Sequence, residues 1–143
     1  MALFGKRQRR ITRLLIVEDE PLVAFDTEHL LTDEGFEVVA TVDRVSDAVA
    51  LVGDGQAIDL VLADVELADG SGVEVARAAQ DKGIPVLFVT GSCPPDAAAL
   101  AAGCLAKPFA QRDLLAAIGA IDAKLDGRRP RKLPGGFRLF GEG

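Results

Sequence analysis

The sequence predicts an α/β fold: a doubly wound parallel sheet of five strands in the order 2-1-3-4-5, covered by five helices. Three observations lead there. Short, wholly apolar runs alternate with amphipathic or Ala-rich segments through the middle of the 143-residue chain. Such runs suit strands buried on both faces, which are typical of parallel sheets. Right-handed crossovers between successive strands then favour the doubly wound arrangement.

The elements follow in order. Leu14–Val17 reads as a buried strand. Pro21 suits the first turn of a helix whose Val23, Leu30 and Leu31 share one face. Phe36–Val42 is the second strand, Ser46 opens the second helix, and Ile58–Ala63 is the third strand. Ser71-Gly-Val-Glu74 has capping-box spacing for the third helix. Pro85–Val89 is the fourth strand, 95–102 a short fourth helix, and Cys104–Ala106 a short fifth strand. Leu114, Ile118, Ile121 and Leu125 form the apolar stripe of the final helix. Gly127 and Pro130 close the domain. The expected organisation is a basic lead over 1–12, one domain over 13–126, and a flexible basic tail over 127–143.

Composition is that of a globular protein, 49% hydrophobic and 27% charged, with seven Phe and no Trp or Tyr. No apolar run approaches the roughly 20 residues of a membrane span. The net charge of −6 is uneven. Five basic groups fall in residues 1–13 and five in 128–138, while 14–127 holds six against 21 acids, a formal charge of −15. Such a body repels nucleic acid and attracts cations or basic partner surfaces, and the basic ends read as solubilising tails, the alternative being contact with RNA, DNA or anionic lipid. Cys93 and Cys104 have neither metal-site nor disulfide-framework spacing. The expectation is a cytoplasmic protein with both thiols reduced, serving as small apolar fillers; the alternative is a redox sensor with a reactive Cys93. A single histidine, His29, excludes a histidine-based metalloenzyme.

The informative residues are the polar ones that end the apolar runs: Glu18-Asp19, Asp64, Thr90 and Lys107. In a parallel sheet these carboxyl ends open onto one rim, where ligands bind at the switch in strand order. Clustered carboxylates repel, and a hard divalent cation such as Mg2+ resolves the repulsion. A hydroxyl and an ammonium beside that ion suit a phosphoryl group, whose transfer needs mainly positioning and charge neutralisation. Asp64, alone at the central strand's end, is the candidate acceptor, and the adjacent Glu18 and Asp19 suit metal holding.

The pattern Glu18-Asp19, Asp64, Thr90 and Lys107-Pro108-Phe109 resembles the receiver domain of two-component response regulators, over roughly residues 12–126. The resemblance implies the flavodoxin-like order given above and phosphorylation of Asp64 by a histidine kinase or histidine phosphotransfer protein. It implies Mg2+ held by Asp19, Asp64 and the backbone carbonyl of Glu66, with Glu18 acting through water. Thr90 and Lys107 would contact phosphoryl oxygens, and the Lys107–Pro108 bond would be cis. Helix one would face the kinase; helix four, strand five and helix five would face the reader. Cys104 stands where many receivers carry a switching aromatic, which alters the coupling of Thr90 and that position. The stretch from Thr90 to Lys107 is short, and Phe88-Val-Thr-Gly91 is similar to the motif of the single-domain FATGUY subgroup.

The 17 residues after Asp126 offer no DNA-binding output domain and no enzyme, so a separate downstream protein, or a phosphate shuttle or sink, is expected. A classical enzyme is not. An aspartyl-phosphate phosphatase would want an aspartate where Glu66 stands and a cap domain. The alternative is a receiver-like interaction module that is never phosphorylated.

Overall fold

The computed structural model describes residues 9–130 and 132–141. Residues 1–8 of the expected basic lead, and Arg131, Glu142 and Gly143, lie outside the described residues.

Five parallel strands form the body: β1 (Arg13–Val17), β2 (Glu37–Val42), β3 (Leu60–Ala63), β4 (Val86–Thr90) and β5 (Gly103–Ala106). They lie in the expected order 2-1-3-4-5. The helices are α1 (Pro21–Asp33), α2 (Val45–Gly53), α3 (Gly72–Asp81), α4 (Ala97–Leu100) and α5 (Gln111–Leu125).

Alternation along each strand divides the core in two. Leu15, Val17, Val61, Ala63, Val86, Phe88 and Cys104 face α2, α3 and α4. Leu14, Ile16, Leu60, Leu62, Leu87 and Leu105 face α1 and α5. Full burial of each Leu or Ile contributes about 2 kcal/mol. In α5, Leu114, Ile118 and Ile121 are buried as their spacing predicts, while Leu125 at the helix end is exposed. In α1 the buried line is Ala24, Thr27 and Leu31, so Val23 and Leu30 flank the core rather than fill it.

Two helix starts are fixed by side chains. Ser71 caps α3, its hydroxyl accepting the Val73 N–H at 3.1 Å. The start of α2 is capped from a distance: Asp69 accepts the N–H groups of Val45 (2.6 Å) and Ser46 (3.2 Å). Helix α2 therefore begins at Val45, one residue before Ser46.

The expectation of a flexible tail from residue 127 is corrected. Phe137–Leu139 forms β6, antiparallel to β5, with Leu105 opposite Phe137 and Gly103 opposite Leu139. Phe137 and Phe140 are both buried, one in each core layer. Hydrogen bonds from Ala106 N to Gly136 O (2.9 Å) and from Phe140 N to Ala102 O (2.8 Å) flank the pairing. Pairing covers an edge that would otherwise present unsatisfied backbone groups. Gly103 makes room, since a β-carbon there would lie 2.7 Å from the Phe137 ring and 2.9 Å from the Arg138 carbonyl. The segment Phe-Arg-Leu-Phe is too short to stand out by periodicity among Arg, Gly and Pro.

The N-terminal boundary also moves. Asp122 on α5 accepts the N–H groups of Arg10 (3.0 Å) and Ile11 (2.9 Å), and Ile11 is fully buried. Arg9 lies over the Phe36 ring at 4.0 Å. Asp59 accepts the N–H groups of Thr12 and Arg13, each at 2.9 Å. Partial burial pushes the Asp59 carboxyl up, but these bonds outweigh it and hold it below the ordinary value of 3.8.

Gly103→Ala should detach β6 and leave the parallel sheet intact. Hydrogen exchange checks this: the Ala106 and Phe140 amides lose protection and those of Leu14–Val17 keep it. Asp59 stabilises the fold above pH 3.8, and its contribution fades as pH falls through its depressed native pKa. Urea unfolding of Asp59→Asn should therefore show a deficit at pH 6 that shrinks towards pH 3.

Candidate functional site

Backbone pairing continues past the strand ends and sets the rim. Glu18 N bonds to Val42 O at 2.9 Å, Asp64 N to Val17 O at 3.0 Å, and Lys107 N to Thr90 O at 2.9 Å. These three bonds bring Glu18, Asp64, Thr90 and Lys107 to one edge. The Lys107–Pro108 bond is cis, as expected.

Lys107 Nζ lies at the centre, 2.8 Å from Glu18 Oε1, 2.9 Å from Asp64 Oδ2 and 3.8 Å from Glu20 Oε1. Glu18 and Asp64 are buried, Glu20 exposed. Their remaining oxygens are used locally: Glu18 Oε2 accepts the Glu20 N–H, and Asp64 Oδ1 the Glu66 N–H, both at 3.1 Å. Burial pushes the Glu18 carboxyl up, aided by the Asp64 charge and opposed by Lys107 and the Glu20 N–H; the net shift is upward. Burial works to lower the Lys107 pKa, but Glu18 and Asp64 outweigh it and raise it. The ammonium thus stays charged at neutral pH.

Among the described residues, Glu18, Glu20 and Asp64 place oxygens within 4.8 Å of one another, close enough to share one cation. Asp19 is half-buried and stands outside this trio; it borders an adjoining open cleft with Glu20, Asp64 and Glu66. One lysine balances only one of three carboxylates. That excess of oxygen-borne negative charge fits a hard divalent cation. A cleft of about 600 Å3 opens above Asp64, Thr90 and Lys107 and runs along Val23 and Leu30 of α1 to Phe109. Thr90 is buried, and its hydroxyl lies 3.4 Å from the Ser92 backbone N and O. His29 contacts Phe25 on α1 and does not line the cleft.

The reduced-thiol expectation is corrected as well. Cys93 and Cys104 form a disulfide, with Cα atoms 6.4 Å apart. Cys104 lies opposite Phe88 in the β4–β5 register, and the chain after Thr90 folds back over it. An 11-residue separation cannot reveal this, because adjacency arises only when β5 pairs with β4. Sequence reasoning also missed Glu20, although the run Glu18-Asp19-Glu20 was its signal, and Gly72. A β-carbon at position 72 would overlap the Asp64 carbonyl oxygen, and Gly72 N bonds to Val65 O at 2.7 Å. Gly72 thus lets the start of α3 press against the backbone that carries Asp64.

Gly72→Ala should cost about 1–3 kcal/mol, the usual penalty of overpacking. Urea unfolding checks it, and a variant as stable as wild type would show that the contact relaxes freely.

Residues 14–119 match the family model described as the response regulator receiver domain. The chain is 37% identical over 81 residues to the phyllosphere-induced regulator PhyR of Methylorubrum extorquens, covering 55% of this chain and 30% of that protein. It is 35% identical over 112 residues to the transcriptional regulatory protein PdtaR of Mycobacterium tuberculosis, covering 74% of this chain and 54% of that one. It therefore spans about half or less of these relatives' lengths. A solved CheY-like receiver domain from Methanospirillum hungatei superposes with TM-score 0.70 at 29% identity, over 82% of this chain and 95% of that one. A receiver protein from Sinorhizobium medicae gives 0.67 at 28% identity, over 78% and 94%.

Proposed function

The chain belongs to the response regulator receiver family, and from that premise we propose that Asp64 accepts a phosphoryl group from the phosphohistidine of a histidine kinase or phosphotransfer protein. Receiver domains are signalling modules rather than classical enzymes. The observation that carries the reading is Lys107 Nζ held 2.9 Å from Asp64 and 2.8 Å from Glu18 at the floor of the cleft. An acceptor oxygen, a fixed positive charge and a buried hydroxyl thus share one space.

In the transfer, an Asp64 carboxylate oxygen attacks phosphorus, a P–O bond forms and the donor P–N bond breaks. The imidazole departs carrying the proton of its second nitrogen. Lys107 neutralises charge on a phosphoryl oxygen, and the Thr90 hydroxyl donates to another. Asp19, Asp64 and the Glu66 carbonyl, with Glu18 through water, are the proposed holders of Mg2+. When bound, the ion neutralises phosphoryl charge and positions the donor. Glu20 belongs to the same acidic cluster.

The partner surface is α1, where Leu22 and Phe25 are exposed and Leu22 borders the open cleft shared with Asp19 and Asp64. No helix among the described residues is long and apolar enough to cross a membrane. The proposal is of a cytoplasmic single-domain regulator of the FATGUY type. It signals to a separate protein or serves as a phosphate shuttle or sink.

With Mg2+ and phosphoramidate, the protein should gain about 80 Da, one phosphoryl group, on Asp64. Asp64→Asn should gain none while keeping or raising its thermal stability. A wild-type chain without adduct would favour the unphosphorylated interaction module, for which Cys104 at the switch position speaks. Magnesium should raise the Tm of wild type, and less that of Asp19→Asn. Equal shifts would remove Asp19 from the metal site.

A further inference from the structure

We infer that the Cys93–Cys104 bond is a reversible redox latch on the loop that follows Thr90; its effect on phosphorylation rests on the phosphoacceptor reading above. Thr90 ends β4, and residues 91–96 carry Ser92, whose backbone meets the Thr90 hydroxyl. Cys93 lies in this loop, and Cys104 lies in β5 three residues before Lys107. The bond thus ties the loop carrying one cleft wall to the strand that delivers the lysine.

The two sulfurs differ in access. Cys104 is fully buried in the core layer that also holds Phe88 and Ala97, whereas Cys93 is half-buried at its margin. An attacking thiolate therefore reaches the Cys93 sulfur, and Cys104 leaves as the thiolate. The resulting mixed disulfide on Cys93 is released by the second thiol of a dithiol, so two electrons and two protons reach the protein. Re-formation runs in reverse, with a small-molecule disulfide such as oxidised glutathione reduced to two thiols. In a reducing compartment such bonds are transient and redox-sensing rather than structural.

The consequence is mechanical. A phosphoryl group on Asp64 adds bulk and charge beneath the loop, and Thr90 and Ser92 must adjust to it. A loop anchored to a buried strand residue adjusts poorly, so the oxidised protein should accept the phosphoryl group more slowly.

The test uses the full chain, oxidised with glutathione disulfide or reduced with dithiothreitol, beside Cys93→Ser. Alkylation and intact mass read the thiol state. Hydrogen exchange reads the amides of Ser92, Ala97 and Ala99, which bond to Thr90, Pro94 and Asp96, expected about tenfold faster in the reduced form. The phosphoramidate reaction with Mg2+ is expected about fivefold faster once the loop is free. Cys93→Ser should match reduced wild type under both conditions.

A bond that dithiothreitol cannot open, exchange that ignores thiol state, or an adduct that forms at the same measurable rate in both thiol states would each overturn the latch. Redox-dependent exchange with no adduct in either state would instead overturn the phosphoacceptor reading and support the latch as a conformational device.

Discussion

A lysine ammonium shared between two buried carboxylates is the interaction on which this structure turns. Lys107 reaches Glu18 and Asp64 at hydrogen-bond distance, and among the described residues neither acid has another cationic partner as close. Removing one member of a buried charge pair typically costs about 3–5 kcal/mol, because the other is left uncompensated. The acids still outnumber the lysine, so the rim retains negative charge that burial makes costly. Burial is the main cause of the upward shift at Glu18, and the Asp64 charge adds a smaller push. A site with surplus carboxylate oxygen and one fixed ammonium is poised for a cation and an anionic group together.

The rest of the fold serves that rim. Two apolar layers fix the sheet between helices on both sides, so the strand ends cannot drift apart. Gly72 and Asp69 fix the loop after Asp64: one by close approach to its backbone, the other by capping α2. At the far edge, the short α4 leaves β5 open, and the chain's own Phe137 and Phe140 cover it. The surface expected to meet a reader is therefore partly occupied by residues 137–140. Any partner approaching β5 by strand pairing would first have to displace them.

Much of this was legible beforehand. The strand order and the meeting of Glu18, Asp64, Thr90 and Lys107 follow from apolar runs that end in polar residues, and the cis Lys107–Pro108 bond from the family resemblance. What escaped was contact between distant segments. Asp69 caps a helix 24 residues earlier, Asp122 binds the backbone at Arg10 and Ile11, and Gly103 seats Phe137. Cys93 and Cys104 meet only because the loop after β4 folds over β5. Periodicity reports which face of an element is buried, and it is silent about which remote residue satisfies a backbone end. Asp19 is intermediate: its place on the rim was expected, yet the closest acidic trio takes Glu20 instead.

The most direct measurement is a crystal structure grown with Mg2+ and beryllofluoride, an acyl-phosphate mimic. The account predicts beryllium on an Asp64 carboxylate oxygen, fluorides contacting Lys107 Nζ and the Thr90 hydroxyl, and the ion against Asp19, Asp64 and the Glu66 carbonyl. A beryllofluoride group bound elsewhere, or an ion that leaves Asp64 untouched, would contradict it.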